Sequence, residues 1–210
     1  MFPPFKEDAA KKICQAIATA LDKGQLEIRT VDSLRESTER SLDSIMLGCL
    51  ICRDSSAKKC ILFAVSGTTR ALFKKGETEE LLEFDVRLEN KDEDTVLVKI
   101  LPPVVSAREI DMALCENDKK IHELTNEIAS SCNKEEISQL KNQRTLLTDQ
   151  SLSKVFALYY FHCADGKLRS LKEICAERHL RTLPPTGTGE CAEAKLFDYA
   201  FCHQMQIESL

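Results

Sequence analysis

The string IMLGCLIC at residues 45–52 decides the fold, because it is a nearly continuous apolar run of the length of a strand. Asp54, Ser55 and Ser56 supply a turn, and Lys59 to Val65 follows as a second apolar run. Two such runs joined by a short turn predict a β-hairpin. Strands without regular polar alternation are buried on both faces. We therefore predict a hairpin in the middle of a sheet that helices cover.

Other elements are predicted on both sides of this hairpin in the sequence. Apolar residues recur at helical spacing between Phe5 and Leu21, and this amphipathic pattern ends at Gly24. A second short helix is predicted at Ser33 to Asp43, and a further strand at Val96 to Leu101. The predicted fold class is α+β, with a small sheet built on a central strand hairpin and flanked by helices.

A long helical pattern runs from Val104 to Phe161, where apolar residues recur at three-, four- and seven-residue spacing. It is interrupted near Ser130 to Lys134, which predicts a long antiparallel helical hairpin with coiled-coil spacing and solvated arms.

The predicted elements divide the chain into three regions. Residues 1–103 hold the N-terminal helices and the strand hairpin, and residues 104–163 hold the inserted helical hairpin. Residues 164–210 hold a helix with a capping box at Ser170, a glycine-rich loop and a C-terminal helix that packs on the core.

Composition limits the classes of function. The chain has 210 residues, of which 43% are hydrophobic, so it is long enough for one sizeable core. A net charge of −5 argues against nucleic-acid binding through a broad basic surface. The ten cysteines lack regular spacing. There is no secretory leader and no apolar run near the roughly 18 residues of a membrane span. These features predict a cytoplasmic protein that does not associate with membranes.

The candidate functional residues lie in the string PPTGTGECAEAKLFDYAF at residues 184–201. Its prolines and glycines form a loop, and apolar residues at helical spacing follow. Thr188 is the predicted N-cap, and Cys191 lies in the predicted first turn. The unpaired N–H groups and the positive end of the helix there favour a thiolate, so Cys191 suits a metal ligand or a nucleophile.

The loop Gly187-Thr188-Gly189 has a second interpretation, because N–H groups before a helix can bind a phosphate. No Walker lysine follows the loop, and the carboxylate of Glu190 would repel an anion unless it turned away. We therefore predict that the loop lets the final helix pack closely on the strand hairpin.

The same string resembles the glycine-rich signature of the region that precedes the catalytic domain in a subset of bacterial RluA-type pseudouridine synthases. The upstream order of helix, paired strands and helical insertion is similar as well. In that family a His-Arg-Leu-Asp motif follows, and its aspartate attacks the uridine; this sequence contains no such motif. The resemblance implies a non-catalytic accessory region in RNA modification, which positions RNA or a partner. The implied partners are RNA and a pseudouridine synthase catalytic domain, and the oligomeric state is left open.

Two alternatives remain. Cys191-Ala192-Glu193 has the Cys-x-Glu form that begins the zinc site of nucleobase deaminases, where the first residue binds zinc and the glutamate transfers protons. Such a site needs a further Cys-x-x-Cys pair after another strand, and that strand would barely have begun at Leu210. The chain would then be a truncated or degenerate deaminase with Cys191 and Glu193 as candidate site residues. Zinc is the one cofactor considered, and otherwise none is expected. The second alternative is a protein-binding module that uses the helical hairpin.

No other catalytic or metal group is predicted. Cys49 and Cys52 form a Cys-x-x-Cys pair, but strand alternation sends residues three apart to opposite faces, so we predict two buried structural cysteines. No Cys-His or Ser-His-Asp arrangement can be assigned from the sequence separations. Each histidine is predicted to be satisfied or exposed: His122, His162, His179 and His203.

Overall fold

The computed structural model describes residues 5–24, 27–31, 46–67, 70–74, 97–178, 184 and 187–210. Its helices are α1 (Asp8–Asp22), α2 (Ala107–Ser130), α3 (Lys134–Phe156), α4 (Leu171–Glu177) and α5 (Ala192–Cys202). Its strands are β1 (Glu27–Val31), β2 (Leu47–Arg53), β3 (Lys59–Val65), β4 (Arg70–Lys74), β5 (Leu97–Ile100), β6 (Tyr160–His162), β7 (Leu168–Ser170) and β8 (Gln206–Ser209). The predicted α+β class is confirmed.

The main sheet has four strands in the order β5-β3-β2-β8. The predicted hairpin is its centre: β2 and β3 are antiparallel, with Leu47 opposite Val65 and Arg53 opposite Lys59. Strand β5 runs parallel to β3, and β8 runs antiparallel to β2. The strand expected after the final helix is β8, whose residues Gln206, Ile207 and Ser209 pair with β2.

Helices cover both faces of this hairpin, as its continuous apolar character predicts. Helix α1 covers one face and α5 covers the other. Cys49 belongs to the first layer and Cys52 to the second, which confirms that the pair is split across the sheet. The α1 layer contains the buried residues Ala10, Ile13, Ile17, Cys49, Ile51, Ile61, Phe63 and Val65. The α5 layer contains Leu50, Cys52, Cys60, Leu62, Ala64, Leu101, Ala192, Leu196 and Ala200.

A glycine in β2 sets how closely α5 approaches the sheet. A Cβ atom at Gly48 would lie 2.9 Å from Cδ1 of Leu196 and 3.0 Å from Cβ of Ala192. Both distances are shorter than ordinary van der Waals contact. Gly48 is therefore the residue that lets the helix rest on the hairpin.

The inserted helical hairpin consists of α2 and α3. The start of α2 and the end of α3 pack with residues of β6 and α4 in a third apolar cluster. The predicted helical pattern extends to Phe161, but α3 ends at Phe156. Residues 160–162 form β6 instead, and they pair with β7. The predicted capping box at Ser170 is confirmed, since its side chain accepts a hydrogen bond from the backbone N–H of Glu173. The third cluster is built on Val105, Phe156, Tyr159, Phe161 and Leu171.

The start of α1 and the end of β8 are joined by hydrogen bonds. The hydroxyl of Ser209 donates to the backbone carbonyl of Lys6, and the backbone N–H of Ala10 donates to the same hydroxyl at 3.1 Å. The N–H of Leu210 also donates to the carbonyl of Lys6 at 3.3 Å. The segment before α1 therefore lies along β8.

The remaining elements add little to the site. Strands β1 and β4, which the sequence patterns did not predict, form a separate antiparallel pair. The helix predicted at Ser33 to Asp43 lies outside the described residues. Within the described ranges, none of the helices combines the length and the apolar character that a membrane span requires.

Candidate functional site

The glycine-rich loop makes a tight turn before α5. Gly187 and Gly189 have φ angles of +86° and +99°, and the N–H of Glu190 donates to the carbonyl of Gly187 at 3.0 Å. Such angles favour glycine, which explains both residues. The helix begins at Ala192, so its N-cap is Cys191. The prediction of Thr188 as the N-cap is therefore wrong, because Thr188 lies inside the turn, and Cys191 precedes the first helical turn.

The loop packs closely, but on a different surface from the one predicted. A Cβ atom at Gly189 would lie 3.0 Å from Cδ1 of Tyr159 and 3.3 Å from Cζ of Phe161. These two rings are stacked, with centroids 6.1 Å apart. Gly189 thus contacts the β6 region and not the strand hairpin, where Gly48 makes the close approach.

Glu190 is turned away from the loop into a structural contact. Its Oε1 atom accepts a hydrogen bond of 2.7 Å from the hydroxyl of Tyr159. Burial, and then this hydrogen bond, raises the pKa of Tyr159, so the phenol remains the donor. The backbone carbonyl of Glu190 also accepts a bond of 2.9 Å from the N–H of Gly67, just after β3. Glu190 therefore joins the loop to two neighbouring segments.

Among the described residues of the signature, Cys191 and Glu193 are the exposed ones. The thiol of Cys191 makes no capping hydrogen bond. Both side chains line a cavity of about 580 Å³ between α5 and the β6–β7 hairpin. The two candidate site residues that the sequence identified therefore line a cavity.

One face of α5 lines this cavity along its length. Cys191, Ala194, Asp198 and Phe201 are spaced by three, four and three residues, which places them on the same side of a helix. Cys191 and Asp198 are two turns apart, or about 10 Å along the axis. The cavity is therefore long enough to contact both ends of a small organic ligand.

His162 and Asp198 form a pair in the cavity that the sequence patterns did not identify. His162 Nδ1 lies 2.9 Å from Asp198 Oδ1, and the backbone N–H of His162 donates to the same oxygen at 2.8 Å. The double contact fixes the imidazole, with its Nδ1 directed to the carboxylate. The two residues are 36 positions apart, and the packing of β6 against α5 brings them together. His162 is thus satisfied, as predicted, but it also belongs to the cavity.

The rim of the cavity carries a set of paired charges. Arg169 makes two contacts with the Asp165 carboxylate, at 2.6 and 2.8 Å, and a third with Glu177 at 3.1 Å. The hydrogen bonds from Arg169 lower the pKa of Asp165 to about 2. Two of the four carboxylates that line the cavity are therefore paired with an arginine. The other two belong to Glu193 and Asp198.

The described residues do not fit a catalytic zinc ion. Such a site takes three protein ligands and a water molecule. Among the described residues, no group of three or more His, Cys, Asp or Glu side chains is arranged to hold a metal ion. Cys191 therefore lacks the companions that the deaminase chemistry would require from this part of the chain.

Comparison of the chain with protein-family models, with curated proteins and with solved structures found no match. The geometry defines a concave, largely apolar cavity with a few fixed polar groups, which is the usual form of a small-ligand site.

Proposed function

We propose that this chain is a non-catalytic accessory region for RNA modification, and that the cavity beside α5 holds an unpaired base of the RNA. The observation that carries this proposal is the aromatic lining of the cavity. Phe197 and Phe201 stack with centroids 5.7 Å apart, and Phe161 lines the cavity from the β6–β7 hairpin. Unpaired bases bind proteins by stacking on such rings, which contributes about 1–3 kcal/mol per base.

The size of the cavity agrees with this ligand. Small-molecule sites commonly enclose about 300–1,000 Å³. The cavity of about 580 Å³ lies within that range, and it leaves room for a base together with its ribose.

Charge argues for recognition of the base and against recognition of the phosphates. Four carboxylates and two arginines line the cavity, and the whole chain carries a net charge of −5. Proteins that follow the RNA backbone use a basic surface, so this chain is poorly suited to that mode. A single unpaired base can enter the cavity while its phosphates stay in solvent.

The proposal assigns no chemical step to this chain. The motif that supplies the nucleophilic aspartate in the resembling family is absent from the sequence, so isomerisation belongs to a separate catalytic domain. The alternative of a protein-binding module on the α2–α3 hairpin stays a prediction, since no feature of the hairpin identifies a partner.

Fluorescence anisotropy with a labelled single-stranded RNA tests the proposal. Phe201→Ala removes one stacking ring and should weaken binding about tenfold. Tyr160→Ala is the matched control, because Tyr160 is 50% exposed and lies outside the cavity lining. Both variants should keep the thermal melt of a folded protein. Absence of single-stranded RNA binding by the wild type, or equal weakening in the two variants, would refute the proposal.

A further inference from the structure

The four carboxylates that line the cavity differ in their partners. Asp165 and Glu177 are paired with Arg169, whereas Glu193 has no ion pair or side-chain hydrogen bond with any other described residue. Asp198 uses its Oδ1 atom for both contacts with His162. An ionised carboxylate only accepts hydrogen bonds. The cavity therefore offers acceptors to which a ligand can donate, and the carboxylate of Glu193 has no donor among the other described residues.

Resting on the proposed nucleobase site, we infer that the cavity selects guanine over uracil, with Glu193 as the residue that reads the base. The Watson–Crick edge of guanine presents an imino N–H beside an amino group, and these two parallel donors match the two oxygens of a carboxylate. Uracil presents one N–H between two carbonyl oxygens, which would face the carboxylate with like partial charge. The same carboxylate thus attracts one base and repels the other.

The position of Glu193 suits this role. It lies in the first turn of α5, and its side chain is exposed at the cavity. A base stacked on the phenylalanine rings of the same helix would bring its polar edge toward one end of the cavity. The carboxylate of Glu193 is therefore adjacent to the phenylalanine rings on which the base would stack, and it is not part of that surface.

A cationic ligand, such as an arginine side chain of a partner protein, is the competing occupant for an acidic aromatic cavity. Two observations favour a neutral base. Arg178 stands in the same lining and would repel a second cation. The walls are also largely apolar, and a full charge loses more hydration there than a neutral heterocycle does.

Binding of labelled RNA pentamers tests the inference: UUGUU, UUUUU and UUIUU, in which inosine lacks the exocyclic amino group of guanine. We expect UUGUU to bind about tenfold more tightly than UUUUU, and UUIUU to lose most of that gain. Glu193→Gln replaces one acceptor oxygen by a donor amide, so it should weaken the binding of UUGUU, relieve the repulsion of uracil and thereby abolish the preference. Glu123→Gln, at an exposed position on α2, is the matched control and should keep the preference.

The possible outcomes separate the two proposals. Equal binding of all three pentamers would overturn the inference and leave the nucleobase site standing. A preference that persists in Glu193→Gln would also overturn the inference. If no pentamer binds, the proposed function itself fails. If ethylguanidinium displaces UUGUU at concentrations where guanosine does not, the cavity is a cation site and both proposals fall.

Discussion

The Nζ atom of Lys195 lies 2.5 Å from the carbonyl oxygen of Val65 and 2.5 Å from that of Gly67, between α5 and the end of β3. Lys195 is only 2% exposed, so these two carbonyl groups replace the water that would solvate its amine. A buried charge is tolerated in a protein when it is hydrogen-bonded in this way. The contact fixes the first turns of α5 against the sheet, and it thereby positions Cys191 and Glu193 at the cavity.

This lysine should make stability depend on pH. Burial lowers its pKa to about 8, against the ordinary value of 10.5. Between these values the unfolded chain binds more protons than the folded chain, so stability rises as the pH increases from 8 to 10.5. We expect wild type to gain up to about 3 kcal/mol relative to Lys195→Met across this window. Urea denaturation of both proteins at pH 7.5 and pH 10 measures the difference, and a constant difference would contradict the prediction.

Gly48→Ala should destabilise the fold by about 1–3 kcal/mol, because the new methyl group meets Leu196 and Ala192 at about 3 Å. Shortening the opposing side chain with Ala192→Gly should recover part of the loss, so the two substitutions should not be additive. A double-mutant cycle from denaturation curves measures this coupling. Gly187→Ala is a useful comparison, since its φ of +86° strains the backbone while no atom lies within 4 Å of the new Cβ. Ala192→Gly should not rescue that variant.

The hydrogen bond between Tyr159 and Glu190 should contribute measurably to stability. Tyr159→Phe removes a donor to a charged acceptor, and such bonds contribute about 1.5–3 kcal/mol. Glu190→Gln keeps an acceptor oxygen and should cost less. Thermal and chemical denaturation of the two variants will rank them. Equal loss in both would contradict this ranking and would show that a neutral acceptor keeps none of the stabilisation.

Cys14 should react with iodoacetamide near neutral pH. A hydrogen bond from Cys49 lowers the pKa of the Cys14 thiol to about 7, while the pKa of Cys49 is raised by the same contact and by burial. Burial raises the pKa of Cys52 to about 12, so that thiol should stay unmodified in the folded chain. Mass spectrometry of labelled peptides between pH 6 and pH 9 measures the rates. In Cys49→Ala the reactivity of Cys14 should shift to higher pH, and an unchanged profile would count against the contact.

The purified chain should not retain stoichiometric zinc, since the described residues place no further ligands beside Cys191 where a catalytic site needs three. Metal analysis after dialysis against a weak chelator provides the measurement. One zinc ion per chain that is lost in Cys191→Ala would reverse this expectation and would restore the deaminase interpretation.

The sheet was predictable from the sequence because its signal is local. The uninterrupted apolar character of residues 45–52 predicted burial on both faces, and strand alternation placed Cys49 and Cys52 on opposite sides. The end of α3 was not predictable in the same way. Phe161 continues the helical spacing, and only its pairing partners at residues 168–170 make this segment a strand.

The site was predictable only in part, for the same physical reason. The exposure of Cys191 and Glu193 follows from a helix whose buried face the sequence already indicates. The contact of His162 with Asp198 depends on how β6 docks against α5, and no spacing in the sequence encodes that distance. The close contact between α5 and the strand hairpin was predicted at Gly189 and is made at Gly48 for the same reason. The sequence identifies a glycine, but it does not identify the residue against which that glycine packs.

The bridge between Lys6 and Ser209 affects how readily the edge of the sheet can pair with another molecule. Strand β8 is one of the two outer strands of the sheet, and an outer strand with unpaired backbone groups can add a strand from another chain. The segment that precedes α1 occupies part of that edge through the carbonyl of Lys6. The short segment therefore acts as a shield against edge-to-edge aggregation, in addition to closing the fold.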